Sequence, residues 1–440
     1  MQLTDFAAVL FWLFIIYSLA IIIKELRYPN DSDTFKKYFL PGLTVKLLGA
    51  FAFDAIYMYY YGGGDTLAYY QFSQGLYEAF FFRPMAAFQV LLSNAGQSNY
   101  YIDDITRSMQ HFFLESGTFM VVKICAIFNL LTYNSFWATS LLFAFVAYLG
   151  LWAMYRVFIQ VCPNMEKSMA FAVLFMPSVA FWGSGIMKDS ISMACLGGLL
   201  YGLYYLCLER KKIALSLLLI PVCFHFVYAI KAYIIMAFIP AFAYWLVSYY
   251  KQKVTDLPLK VATFLVLLLI GGVLFYQTRY MLADVGNNLF AKFVSMAMGF
   301  QGWHGMLAEQ GSSGYSFGTI EFTIPGILSK FPQSVNVTLF RPYLYEVRNP
   351  VMLITAIESA IILLITLYLL VKTRIIGIFT VLNKYPFALF CLIFTLLFGF
   401  AVGFTSYNFG ALARYKIPCL PFYGAFLAII WNETKLNKYK

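Results

Sequence analysis

The run TDFAAVLFWLFIIYSLAIII, residues 4–23, holds one charged side chain, Asp5, and has the length an α-helix needs to cross bilayer hydrocarbon, about 20 residues. No basic region precedes it and no A-x-A-like cleavage site follows it. It is therefore expected to remain as a helix rather than leave as a signal peptide, with Met1 as the mature N-terminus. Apolar runs of similar character recur at 39–60, 136–158, 169–182, 190–207, 213–227, 232–249, 261–276, 351–370, 386–402 and 417–431. Only helices and closed barrels satisfy their backbone in lipid, and these runs are helical in length. The sequence thus predicts an all-α fold: a polytopic transmembrane helical bundle of about eleven spans, with 1–440 as a single transmembrane domain.

Composition points the same way. Hydrophobic residues make up 62% of the chain, aromatic residues 20% and charged residues only 12%, with a mean hydropathy of +0.74. A water-exposed surface of ordinary size cannot be assembled from that mixture. The net charge of +11 would suggest nucleic acid in a soluble protein, yet no run of five Lys or Arg occurs and the bases sit between apolar runs. Nucleic acid is accordingly not an expected partner. Seven cysteines (Cys125, Cys162, Cys195, Cys207, Cys223, Cys391 and Cys419) form an odd set without a CxxC pair, which argues against a disulfide or zinc framework. His111, His225 and His304 make no HxxxH pair, so no histidine metal site is indicated.

Orientation follows from the bases in the connections. They gather at Lys24, Arg27, Lys36 and Lys37; at Arg156 and Lys167; at Arg210, Lys211 and Lys212; at Lys251, Lys253 and Lys260; at Lys372, Arg374 and Lys384; and at Lys435, Lys438 and Lys440. Every second connection is basic. The positive-inside rule then puts the N-terminus outside and the C-terminus inside. The apolar run 118–131 would spoil this alternation as a span, so it reads as a helix lying at the outer interface with Lys123 snorkelling. Two long outer loops remain, 61–135 and 278–350, each longer than a connector requires. Tyr57, Tyr59, Tyr60 and Tyr61, and again Tyr249 and Tyr250, crowd span ends as interfacial belts do.

The first candidate for chemistry is YGGGDTLAYY, residues 61–70, where the second span leaves the membrane. Three glycines let the backbone turn sharply and approach a ligand. They hold Asp65 where a carboxylate can act as a general base toward an acceptor hydroxyl or as a ligand to a divalent metal. The alternative is a turn in which Asp65 caps the next helix. The second candidate is PSVAFWGSGIMKDS, residues 177–190, in which Lys188 can hold a lipid phosphate while Asp189 or Ser190 caps the following helix.

Lys231, Arg279, Lys292, Lys330, Arg341, Arg348, Arg414 and Lys416 are outer cations that run against the positive-inside bias. An anionic ligand such as a polyprenyl phosphate would offset them, since the arginine fork matches phosphate oxygens. FRPYLYEVR, residues 340–348, concentrates two of them, and there the alternative is an internal pair of Arg341 or Arg348 with Glu346. Asp54 and Glu358 lie inside apolar spans, where an unpaired charge costs at least about 2.5 kcal/mol, and Lys46 is the expected partner of Asp54. Tyr69, Trp182 and Trp303 are candidates for stacking on a sugar ring, against the commoner use of such rings as interfacial anchors. There is no Walker lysine motif, no GxGxxG and no GxSxG elbow, which excludes a nucleotide-driven pump and a soluble-type hydrolase from the expectations.

The order of these parts resembles the GT-C superfamily of membrane glycosyltransferases, of the protein mannosyltransferase and lipid A aminoarabinose transferase type. Asp65 in GGGDT matches the acid that those enzymes place early in a long first outer loop, and 121–131, 136–156, 169–189 and 190–210 follow their succession of parts. The likeness covers the first half of the chain and is architectural. It departs from the superfamily in offering a single acid where a pair is common. FWGSGIMKDS, GWH, FRPYLYE and NFGALARYK are similar to an uncharacterised family of bacterial inner-membrane proteins found among polysaccharide genes. The two Arg-bearing loops also resemble Wzy-type O-antigen polymerases.

These resemblances imply a multi-pass protein of the bacterial inner membrane that transfers or polymerises sugars from a polyprenyl-phosphate-linked donor. Asp65 would deprotonate the acceptor, and Lys188, Lys231, Arg341, Arg348, Arg414 and Lys416 would hold phosphate. Membrane lipid and other polysaccharide assembly proteins are the further partners implied. The rival classes are a transporter or flippase of lipid-linked saccharide, which discontinuous helices or inverted repeats would favour, and a non-enzymatic subunit of a glycan assembly complex.

Overall fold

The structure, a computed structural model, describes residues 3–27, 34–109, 111–253, 295, 298–299, 302 and 313–436. Among these residues every regular element is helical, and an isolated bridge joins Gly314 to Asn408. Among the described residues seven helices are long and apolar enough to cross a membrane: Asp5–Leu26, Lys37–Tyr60, Phe136–Val161, Lys188–Leu208, Ile213–Lys251, Pro350–Lys384 and Pro386–Ser406. Their apolar side chains also face outward, Phe14 at 70% exposure and Val371 at 81%. Contiguous apolar exposure of this kind suits lipid rather than water as the neighbour.

The helices named below are α1 (Leu3–Arg27), α2 (Leu40–Ala55), α3 (Asp65–Phe82), α4 (Pro84–Leu92), α5 (Tyr100–Thr106), α6 (Ser116–Thr132), α7 (Phe136–Val161), α8 (Glu166–Val173), α9 (Pro177–Trp182), α10 (Lys188–Leu203), α11 (Ile213–Lys253), α12 (Ile324–Ser329), α13 (Phe331–Phe340), α14 (Pro350–Lys384), α15 (Pro386–Ser406), α16 (Phe409–Tyr415) and α17 (Leu420–Leu436).

Several expected spans take a different form. The run 169–182 is broken into α8 and α9, because the chain leaves the helix before Pro177, whose ring disfavours helical geometry in the residue ahead of it. The runs 213–227 and 232–249 join in α11, with a kink where Lys231 adopts φ −147° and ψ 73°. The run 417–431 enters α17, a helix of 17 residues, at Leu420, and 261–276 lies outside the described residues.

The chain forms two compact units, Met1–Ile235 and Met236–Lys440. In the first, α7 is the buried centre, with α1, α2 and α10 around it. Its closest joint needs no side chain at all: Gly150 sits against the backbone of Ala194, and Gly197 against the backbone of Gly150. Small residues let two helix backbones approach in this way. Polar links hold the segment 61–135 onto this core. Asn129 of α6 donates to Ser73 of α3 at 2.9 Å and accepts from Thr139 of α7 at 2.7 Å.

Lys123 does not snorkel. It is buried and donates to the carbonyls of Leu91 and Ser93 at 3.1 and 2.9 Å, closing the end of α4, where helix carbonyls lack partners. Lys46 does not pair with Asp54 but donates to the Val179 carbonyl at 2.8 Å, while Asp54 faces Ser140. Two helical turns separate the two residues along α2, and a carbonyl of the short helix α9 lies nearer the amine.

In the second unit α13, α15 and α17 pack through aromatic rings. Phe390 lies within ring contact of Phe238, Trp245 and Phe422. Thr338 of α13 donates to the Gly399 carbonyl of α15 at 2.6 Å, a crossing made close by Gly403 against Ser334.

Candidate functional site

The helix of α2 continues through a wider turn, Ile56–Tyr60, and then meets three glycines. Gly62 and Gly64 adopt φ of +64° and +119°. The ring of Tyr57 fills the place where a Cβ on residue 64 would lie, at 2.7 Å. Only glycine meets both demands at 64. The turn delivers Asp65 as the first residue of α3, with Gly64 as the capping residue. Asp65 therefore does not serve as an N-cap, although its charge suits the positive end of α3.

A second acid, far along the chain, feels the charge of Asp65. This is Glu115, which precedes α6. Glu115 accepts one hydrogen bond from the ammonium of Lys188 and one from Thr118 Oγ1, the latter at 2.6 Å. Partial burial pushes its pKa up, but the nearby Lys188 charge and the two hydrogen bonds outweigh burial and the repulsion from Asp65. The net effect holds Glu115 below the ordinary carboxylate range. The group is therefore an anion at neutral pH.

Lys188 opens α10, and the next residue turns inward. Asp189 forms an ion pair with Lys231, the side chains being 2% and 4% exposed. Neither Asp189 nor Ser190 caps α10. Met187 occupies the capping position, and Ser190 donates to the Gly185 carbonyl at 2.6 Å. Lys231, expected to hold phosphate, is thus engaged inside the unit by an acid. Burial of both members makes that pair depend on each partner for its solvation.

Tyr69 is buried edge-on to Phe112, with ring centres 5.7 Å apart. Trp182 is buried against Phe181 and Phe53. Trp303 lies outside the described residues, as do Arg279, Lys292 and His304. The exposed rings next to Asp65 in sequence are Tyr60 and Tyr61, in mutual contact at 5.0 Å.

In the second unit Arg341 and Glu346 form a fork. Arg341 Nε lies 3.1 and 3.0 Å from the two carboxylate oxygens, and its Nη2 makes a further contact. Burial pulls the guanidinium pKa down, and Glu346 more than restores it, so Arg341 stays charged. The rings of Phe409, Tyr315 and Tyr343 surround it at 5.0 to 5.7 Å. Lys416 is fully buried and donates to Ser359 Oγ at 2.8 Å and to the Arg341 carbonyl at 3.2 Å. Burial lowers its pKa to about 8, with Glu358 opposing the shift. Arg341 and Lys416 are brought together. Arg348 is exposed, and Arg414 rests on the ring of Tyr415 at 5.8 Å.

Four cations expected to hold phosphate therefore meet acids of their own unit: Lys188 meets Glu115, Lys231 meets Asp189, Arg341 meets Glu346, and Lys416 lies beside Glu358. Sequence reasoning missed Glu115, which shares no motif with Asp65. The one signal was its position just ahead of the apolar run 118–131, at the start of a helix. Among the described residues no group of three His, Cys, Asp or Glu converges, and Glu115, whose carboxyl feels the charge of Asp65, is occupied by Lys188 and Thr118. That donor set does not form a cage for a divalent ion at Asp65.

No protein-family model matches the chain, and neither a curated protein nor a solved structure is significantly similar to it.

Proposed function

We propose that the protein transfers or polymerises sugars from a polyprenyl-phosphate-linked donor, in the manner of a GT-C-like glycosyltransferase, at the extracytoplasmic face of a bacterial inner membrane. The observation that carries this reading is the second acid: Glu115 within electrostatic reach of Asp65, with Lys188 bound to it, at the end of a membrane-length helix. In this reading the chain spans the membrane several times, with its N-terminus outside and its C-terminus inside.

Asp65 accepts the proton of the acceptor hydroxyl as that oxygen attacks the anomeric carbon. The bond from the anomeric carbon to the phosphate oxygen breaks, and the leaving phosphate gains negative charge. Lys188 meets that charge, exchanging Glu115 for the phosphate as its partner. Lys231 acts through Asp189, fixing the start of the helix that presents Lys188. Because the donor is already activated, no nucleotide site is required.

Asp65→Asn, expressed at the wild-type level in membranes, tests the reading. The expected result is loss of the cell-surface glycan on gels, and undiminished product removes the base and with it this mechanism.

A second reading, translocation of a lipid-linked saccharide, is favoured by one observation. The helical path is interrupted between Val173 and Pro177 and again at Lys231, and discontinuous helices are a feature of transporters. Purified protein in vesicles separates the two readings: translocation moves the saccharide without making a glycosidic bond, whereas transfer makes the bond.

A further inference from the structure

Helix α10, continued by a wider turn at Tyr204–Leu208, and helix α11 run antiparallel, joined through 209–212, and their facing residues follow one register. Asp189 meets Lys231 near the open end. Further along α10, Gly198 faces Cys223, where a Cβ on the glycine would lie 2.7 Å from the sulfur. Gly202 then abuts Ile220 and Leu219, at 2.9 and 3.6 Å by the same measure. At the closed end the Lys212 ammonium donates to the Tyr201 hydroxyl at 2.7 Å. From Asp189–Lys231 through Gly198–Cys223 to Gly202–Ile220, each step forward on α10 is matched by a step back on α11.

That register sets Cys195 opposite Cys223. Cys195 precedes Gly198 by three residues and so lies on the same face of α10. Both cysteines are free, and the Cys223 sulfur lies directly against Gly198, one turn along α10 from Cys195. Cys223 is buried and Cys195 is half-buried. Gly198 supplies the room, since any side chain there would meet the Cys223 sulfur.

We infer that Cys195 and Cys223 are a dithiol redox site, which closes to an intramolecular disulfide by exchange with a small apolar disulfide. The Cys195 thiol gives up its proton, and its sulfur attacks one sulfur of the reagent. The reagent's S–S bond breaks, and one half leaves as a thiol carrying that proton. Cys223 then attacks the Cys195 sulfur of the mixed disulfide, and the second half leaves with the proton of Cys223. Two protein thiols are oxidised and one external disulfide is reduced to two thiols. The new bond ties α10 to α11 about two helical turns from the Asp189–Lys231 pair, and so fixes the hairpin that carries Lys188.

The test uses the full chain in native membranes, carrying Cys207→Ser because Cys207 shares a tryptic peptide with Cys195. Dipyridyl disulfide is the probe, followed by alkylation under denaturing conditions and non-reducing peptide mapping. The expected result is a linked pair of peptides holding Cys195 and Cys223, with no pyridyl group on either, released by a reducing agent. Cys223→Ser should instead trap the pyridyl adduct on Cys195, and Gly198→Ala should lower the yield of the linked pair. A lasting pyridyl adduct on Cys195 with Cys223 intact, or two thiols still open to alkylation, overturns the inference in favour of two inert core cysteines.

Discussion

The ammonium of Lys231 and the carboxylate of Asp189 hold one another at a kink in a membrane-length helix, and neither side chain has more than a trace of exposure. Removing one partner of such a pair strands the other in a medium that cannot solvate it. Lys231→Met or Asp189→Leu alone is expected to destabilise the first unit by about 3–5 kcal/mol. The double substitution should recover most of that loss. Thermal unfolding in detergent measures all three, and a double variant no better than the singles would show that the charges are not solvating each other.

The glycines ahead of Asp65 are not equivalent. Gly62→Ala meets open space and bears only the strain of a left-handed backbone, roughly 1–2 kcal/mol. Gly64→Ala adds a collision with the Tyr57 ring in a region of backbone space open essentially to glycine alone. The second should therefore lower the melting temperature more than the first and displace Asp65 with the turn. Equal effects would mean that Tyr57 yields freely.

Glu115→Gln separates the second acid from the first. The substitution removes the anion that engages Lys188 and leaves Asp65 in place. If Lys188 receives a leaving phosphate, glycan output falls while the protein persists in membranes at its normal level. Output unchanged in both Glu115→Gln and Lys188→Met would leave the pair without a part in transfer.

The pH dependence of the Glu115 pair has a definite sign. The folded-state pKa is depressed, so the pair's stabilising contribution is present above the ordinary value of 4.5 and disappears as pH falls through the lower folded value. Lys416 works on the alkaline side. It binds its proton to about pH 8 when folded and to 10.5 when unfolded. The unfolded chain binds more protons between those limits, so stability rises with pH across that window. Lys416→Met should flatten the rise in a melting-temperature series from pH 8 to 10.5.

The long helices were legible because length and apolar character are one-dimensional properties. Residues 136–158, 190–207 and 386–402 stand within helices that need no partner to be foreseen. The break at 174–176 was masked by its own hydropathy, since Leu174, Phe175 and Met176 are as apolar as a continuous span, and Pro177 alone marked the place. Partner choice was legible only where partners are close in sequence. FRPYLYEVR displayed Arg341 and Glu346 together, and they pair. Glu115 and Lys188, or Asp189 and Lys231, meet only after helices have packed, and no spacing rule announces them. Three of the cations expected to meet an external anion, Lys188, Lys231 and Lys416, found internal ones for the same reason.

At the joint of α7 and α10, Gly150 and Gly197 leave main chain facing main chain. In a lipid setting helices gain little from hiding oily side chains, and association rests on fit and on weak Cα–H to carbonyl attraction. A methyl group at either position would act as a wedge and prise the two rods apart along their whole length. Because α10 begins with Lys188, a defect deep in the middle of the unit would be felt as a shift at the end where Glu115 and Asp65 reside.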